Sequence, residues 1–153
     1  MWRQRDDGYE VSDDPERIDF DAVHGFLRTS YWSPGVSRET VERAAAGSLP
    51  MGLYAPDGTQ AGYARAVTDR ATFGYLADVF VLPDHRRRGL SRFLVRALIE
   101  HPDLTTLRRW MLTTADAHGV YEALGFTAID DPGSWMVRRC AGARQPTDGP
   151  EAR

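Results

Sequence analysis

The sequence predicts an α/β fold: a single domain with a mixed, mostly antiparallel central sheet flanked by helices. Three observations lead there. Between Leu49 and Val81 the apolar residues recur with period two across two turn signals. The segments on either side carry apolar residues at helical spacing instead. The last strand of this meander is followed by a helix and a further strand, an order that makes those two strands parallel neighbours with a right-handed crossover.

Each element has its own local reason. Residues 1–8 show no period and read as loose, and Tyr9 to Ser12 suits a short first strand. Ile18, Ala22, Val23, Phe26 and Leu27 fall on one helical face, and Thr29 to Gly35 breaks that helix. Ser37 is an N-cap for a second helix that closes at Gly47. Leu49 to Ala55 reads as a strand, Pro56-Asp-Gly58 as a turn needing φ > 0, and Gln60 to Thr68 as the returning strand. Asp69-Arg70 turns the chain into a longer strand, Thr72 to Val81. A helix from Arg88 to His101 presents Leu90, Phe93, Leu94, Ala97 and Leu98 as one stripe, and Pro102 ends it. Arg108 to Thr113 reads as a strand and Asp116 to Leu124 as a short helix capped by Gly125. Strands over Thr127 to Ile129 and Ser134 to Arg138 complete the expected sheet. Residues 1–140 thus form the domain, and residues 141–153, without any apolar period, read as a disordered tail.

Composition narrows the function. A chain of 153 residues holds one domain with a sizeable core. Its 22 acidic residues outnumber its 19 basic ones, giving a formal net charge of -3, which argues against a general nucleic-acid binder. The single cysteine, Cys140, rules out a disulfide or a multi-cysteine zinc site within one chain, and no metal is expected. Cys140 reads as a small half-buried side chain at a strand end. No apolar run approaches a membrane span and the first residues are too polar for a signal peptide, so the expectation is a cytoplasmic protein without a membrane partner.

Against this acidic background one segment concentrates positive charge: Val81-Leu-Pro-Asp-His-Arg-Arg-Arg-Gly-Leu-Ser-Arg92. A strand ends, Pro83 stops ladder pairing, and a helix opens near Gly89. The first turn of a helix offers unpaired N–H groups and the positive end of its dipole, which together make an anion site. Gly89 permits close backbone approach, Ser91 is small, and Arg86, Arg87, Arg88 and Arg92 bring forked donors suited to phosphate. Cations at a helix start oppose the dipole by about 0.3–1 kcal/mol each, a cost offset when an anion occupies the site. The pattern is neither G-x-x-x-x-G-K-S/T nor G-x-G-x-x-G.

Arg86-Arg-Arg-Gly-Leu-Ser91, placed after a strand, resembles the acetyl-CoA motif of the GNAT acetyltransferase superfamily, Gln/Arg-x-x-Gly-x-Gly/Ala. Ala117-His-Gly-Val-Tyr-Glu-Ala-Leu-Gly-Phe126 resembles that family's second signature, A-x-x-L-Y-x-x-x-G-F. Both occur in order and at the family's separation, and the likeness runs from about Leu49 to Arg138. Two departures stand out: Ser91 where Gly or Ala is usual, and Thr114 where many relatives carry Asn, with Asp116 as its replacement at the cofactor or as a helix cap.

The resemblance implies a GNAT-like sheet that splays after the long strand and takes the pantetheine arm of acetyl-CoA there. Backbone groups of Val79, Phe80 and Val81 would meet that arm, and the turn from Arg86 to Arg92, including Gly89, Leu90 and Ser91, would wrap the phosphates. It implies direct attack of a primary amine, of a small molecule or a peptide, on the thioester, with CoA thiolate leaving and Tyr121 as its proton donor. Tyr121 also reads as a packed aromatic. Asp78, inside an apolar strand, and His118 are alternative bases for the incoming amine. Asp78 reads equally well as the partner of an arginine, and His118 as a helix-end residue bonding backbone; the choice stays open at this level. Tyr31 and Trp32 fall where the superfamily builds its acceptor pocket and suit an aromatic or cationic acceptor, or a core. The function implied is an acetyl-CoA-dependent N-acetyltransferase. The alternative is an acyl-CoA-binding domain without turnover, and a homodimer is compatible with either.

Overall fold

The computed structural model describes residues 1–140. Its six strands form one sheet in sequence order: β1 (Trp2–Gln4), β2 (Glu10–Ser12), β3 (Leu49–Tyr54), β4 (Gln60–Thr68), β5 (Phe73–Val81) and β6 (Arg109–Met111). Every neighbouring pair is antiparallel except β5 and β6, which run parallel. The helices are α1 (Phe20–Leu27), α2 (Arg38–Ala46), α3 (Leu90–Ile99) and α4 (His118–Glu122).

The sheet separates two cores. On one side Leu90, Leu94, Val95 and Leu98 of α3 pack on Val11, Met51, Leu53 and Ala64, all buried. On the other, Val23 and Leu27 of α1 and Val41 of α2 cover Tyr63 and Phe80. Helix caps follow the expected residues: Asp19 accepts from the N–H groups of Asp21 and Ala22, and Ser37 from that of Thr40. Gly125, at φ +88°, ends α4, with the Phe126 N–H bonded to the Tyr121 carbonyl. No helix among the described residues is long and apolar enough to cross a membrane.

Two departures in β5 matter for function. Tyr63 pairs with Phe80 but Arg65 pairs with Ala77, so β5 carries one extra residue opposite Ala64. This bulge seats Asp78 at φ +54°, in the left-handed region that Asp tolerates better than most side chains. It also shifts the side-chain phase, so that Leu76, Val79 and Val81 all face the α3 core. Second, β6 pairs only with Phe73, Gly74 and Tyr75. Leu76 to Val81 therefore continue with no strand on that side, and the sheet opens there.

The expected strands over Thr127 to Ile129 and Ser134 to Arg138 do not form. Neither segment has a ladder partner, Pro132–Ser134 makes a single 3₁₀ turn, and Met136 and Val137 lie exposed. Cys140 is likewise exposed and outside any strand, contrary to its expected half-burial. Residues 1–8, read as loose, supply β1, whose three residues pair with β2. The predicted tail, residues 141–153, lies outside the described residues.

Candidate active site

The open edge of β5, the start of α3 and the start of α4 converge on one region. At its basic end Gly89 is the residue before α3 and adopts φ +70°, and Arg87 two residues earlier is also left-handed. No side chain caps α3, and its first turn contains no acidic residue. The N–H groups of Leu90, Ser91 and Arg92 are thus left for an anion. Arg86, Arg87, Arg88 and Arg92 have no acidic partner within ion-pair distance among the described residues. Arg86 instead donates through Nε to the Val81 carbonyl at 3.0 Å, which leaves the other three arginine side chains without an acceptor among the described residues. A fifth arginine joins from a distance the sequence could not reveal: Arg5 donates to the Arg88 carbonyl at 2.9 Å and leans over Phe93. Tyr9, just before β2, further ties that strand's start to the turn through a 2.8 Å hydrogen bond with His85.

Along β5 the alternation of backbone groups divides the three predicted contacts. The Leu82 N–H bonds to the Ala61 carbonyl, so Phe80, two residues before it, also turns its backbone groups to β4. Val79 and Val81 turn theirs to the open side. Phe80 has a packing role as well, its ring stacked 4.0 Å from that of Phe26.

Beside the bulge lies a cavity of about 520 Å³. Its walls bring together Tyr31, Trp32, Asp78, Asp116 and Tyr121 from three separate parts of the chain, together with Arg65 and Tyr75. Asp78 is engaged on both oxygens: Arg65 donates to Oδ2 at 2.6 Å and Trp32 to Oδ1 at 3.2 Å. Of its alternative readings, the arginine-paired carboxylate is the arrangement present. Arg65 was not a sequence candidate, although it follows Tyr63 by two residues on an otherwise apolar strand, a signal that was there to use. Thr114, at the family's Asn position, accepts from the Ala117 N–H at 3.0 Å and so serves the start of α4, while Asp116 lines the cavity. His118 does not face this cavity; exposed, it borders a neighbouring one shared with Trp110 and Phe126. Three residues before Tyr121, it shares that neighbouring cavity with it.

Tyr121 is half-buried between the two cavities and packs edge-on against Phe126 at 5.9 Å. Burial, and then the nearby Tyr31 hydroxyl and Asp116 carboxylate, push its phenol up to about 12. It stays protonated throughout the neutral range, and its hydroxyl has no hydrogen-bond partner among the described residues. An available neutral phenol, an open strand edge and a phosphate-ready helix start together form a site able to bind an extended phosphorylated carrier and hand a proton to a leaving group.

Comparison with known proteins agrees with this arrangement. The model of the acetyltransferase (GNAT) family matches residues 9–126. A protein from Gibberella zeae, named provisionally as an acetyltransferase, is 33% identical over 75% of each chain. The crystal structure of a GNAT-family protein from Xanthomonas campestris pv. campestris is 43% identical, superposes with a TM-score of 0.83, and is matched over 88% of this chain and 95% of that one. A structure from Deinococcus radiodurans R1, at 21% identity and a TM-score of 0.69 over 91% and 94% of the two chains, shares the fold. With its parallel β5–β6 opening, its left-handed glycine before α3 and this family match over most of its length, the chain belongs to the GNAT acetyltransferase family.

Proposed function

We propose that residues 1–140 form one acetyltransferase domain that moves an acetyl group from acetyl-CoA to a primary amine. The observation that carries the reading is the unpaired stretch of β5 leading straight into an uncapped helix start ringed by unpaired arginines. These residues fit the cofactor: a strand edge for an amide-bearing arm, then N–H groups and guanidinium groups for its phosphates. When bound, acetyl-CoA supplies an acetyl thioester already activated for attack by nitrogen.

The chain's own residues then divide the work. Val79 offers its backbone N–H and carbonyl groups, and Val81 its N–H group, on the open side of β5 to the pantetheine amides, the Val81 carbonyl being held by Arg86. Leu90, Ser91 and Arg92 direct N–H groups at the diphosphate, and Gly89 keeps the backbone open beside them. Arg87, Arg88 and Arg92 are free for the remaining phosphate charge, while Arg86 braces the end of β5. Tyr121 donates its proton to the departing sulfur, aided by a thiol whose ordinary pKa of about 8.5 already makes it a fair leaving group. Asp78, with both oxygens occupied, orients Trp32 and Arg65 and takes no proton. Asp116 is the carboxylate left to hold the ammonium, which gives one proton to solvent before nitrogen attacks the thioester; the second, lost as the amide forms, returns through solvent to Tyr121 in place of the one given to sulfur.

The test is release of CoA thiol from acetyl-CoA in the presence of a panel of primary amines. Amine-dependent release that disappears in Gly89→Val supports transfer at this site. Tight acetyl-CoA binding with no release for any amine would favour an acyl-CoA-binding domain instead.

A further inference from the structure

The cavity beside the bulge has a chemistry more specific than room for an amine. Apart from Tyr121, whose hydroxyl serves the leaving group, its aromatic walls have their polar ends engaged by the protein. The Tyr31 hydroxyl accepts from the Ala115 N–H at 3.2 Å, the Tyr75 hydroxyl meets that of Thr113 at 3.0 Å, and the Trp32 N–H is spent on Asp78. What these residues leave for a ligand is mainly ring surface, beside the Tyr31 O–H donor, with Tyr31 and Trp32 edge-to-face at 4.9 Å. Arg65 and Asp78 neutralise each other. Asp116 is then the one charged side chain of the lining without an opposite partner among the described residues.

From this the geometry points to an acceptor class: a primary amine on an aromatic body, without a carboxylate near the nitrogen. The inference rests on the acetyl-transfer reading and deepens it. An aromatic body gains from faces that are attracted to π edges and to cations alike. The protonated amine gains from Asp116, the unpaired negative charge. An α-carboxylate would face Asp116 with no free cation in the wall to receive it, a like-charge contact that disfavours amino acids. The volume of about 520 Å³ suits a single-ring or fused-ring amine and is small for a trisaccharide amine.

Binding and turnover are measured together on the full chain. With CoA present, titration calorimetry compares phenethylamine with phenylalanine, with cadaverine, and with phenethyl alcohol as the uncharged analogue. Phenethylamine is expected to bind at least tenfold more tightly than phenylalanine and cadaverine. Asp116→Asn is expected to erase most of its advantage over phenethyl alcohol while leaving the alcohol unchanged, a difference no general loss of structure produces. Tyr31→Ala, at a wall residue exposed enough to be changed safely, is expected to weaken phenethylamine about tenfold and cadaverine hardly at all. Acetylation rates with acetyl-CoA should follow the same order. Equal or better binding of phenylalanine or cadaverine, no binding of any of them, or an Asp116→Asn variant that keeps the amine-over-alcohol preference overturns the assignment. The predicted binding order without acetyl release leaves the acceptor class standing and removes the transfer reading instead.

Discussion

Arg65 donates through Nε to the Asp78 carboxylate at 2.6 Å across the one place where β4 and β5 fall out of register. Both side chains are largely withdrawn from solvent, and the second carboxylate oxygen holds Trp32. The pair therefore links a left-handed bulge, the loop between α1 and α2 and the wall of the cavity. It also explains an acid inside the otherwise apolar Phe73–Val81 strand.

If Asp78 positions rather than takes protons, Asp78→Asn leaves the shape of the pH–rate profile intact. Asn tolerates the left-handed backbone and still accepts from Trp32, but no longer pairs with Arg65. Stability should fall by about 1–3 kcal/mol because a half-buried guanidinium loses its countercharge. Thermal unfolding and a profile from pH 6 to 9 check both halves; disappearance of the acidic limb in the variant would make Asp78 the base.

Tyr121→Phe should lower turnover by about 10²-fold while acetyl-CoA affinity changes little, because the hydroxyl serves the leaving group and not the ground state. Its phenol is raised to about 12, so it remains the protonated, donating form well past neutrality. The wild-type rate should accordingly show no alkaline loss from this group below about pH 11. Stopped-flow rates beside binding titrations separate the two quantities.

Burial raises the phenols of Tyr54, Tyr63 and Tyr121 above their ordinary value of 10.0. Below pH 10 each is neutral whether the chain is folded or not. Above it the unfolded chain releases protons that the folded one retains, so stability declines as pH rises from 10 towards 12, at up to about 1.4 kcal/mol per pH unit for each group. Denaturant melts at pH 8, 10 and 11 should show a flat first interval and a steep second one.

A Cβ at Gly74 would lie 2.7 Å from the Trp110 ring, at the register position that joins β5 to β6. Gly74→Val should destabilise the fold by about 1–3 kcal/mol through overpacking and push β6 outward. A lowered melting temperature together with weaker acetyl-CoA binding is the expected pair of results, since the opening of the sheet depends on where β6 stops.

Much of this was legible in the sequence because its causes are local. Ser37 caps where its hydroxyl reaches the next turn, Gly58 and Gly89 sit where φ is positive, and the period-two run from Leu49 to Val81 folds as the meander. Tyr121, Tyr31 and Trp32 line one cavity. The rest depends on contacts distant along the chain. Arg5 meets Arg88 across 83 residues, and the Arg65–Asp78 pair needs a bulge that no strand pattern announces. His118 shares one cavity with Tyr121, as their i, i+3 spacing implies, but not the cavity that Asp78 lines, a division spacing alone does not reveal. The last two expected strands failed for lack of a partner, which periodicity cannot supply.

The most direct measurement is a calorimetric titration of wild-type protein and Gly89→Val with acetyl-CoA. The wild type should bind one equivalent at micromolar concentrations. The variant should stay folded by circular dichroism and lose that binding by at least 50-fold, since a β-branched side chain cannot hold φ +70° without strain. No heat with millimolar acetyl-CoA in the wild type, or undiminished affinity in the variant, would contradict the placement of the carrier's phosphates at the start of α3.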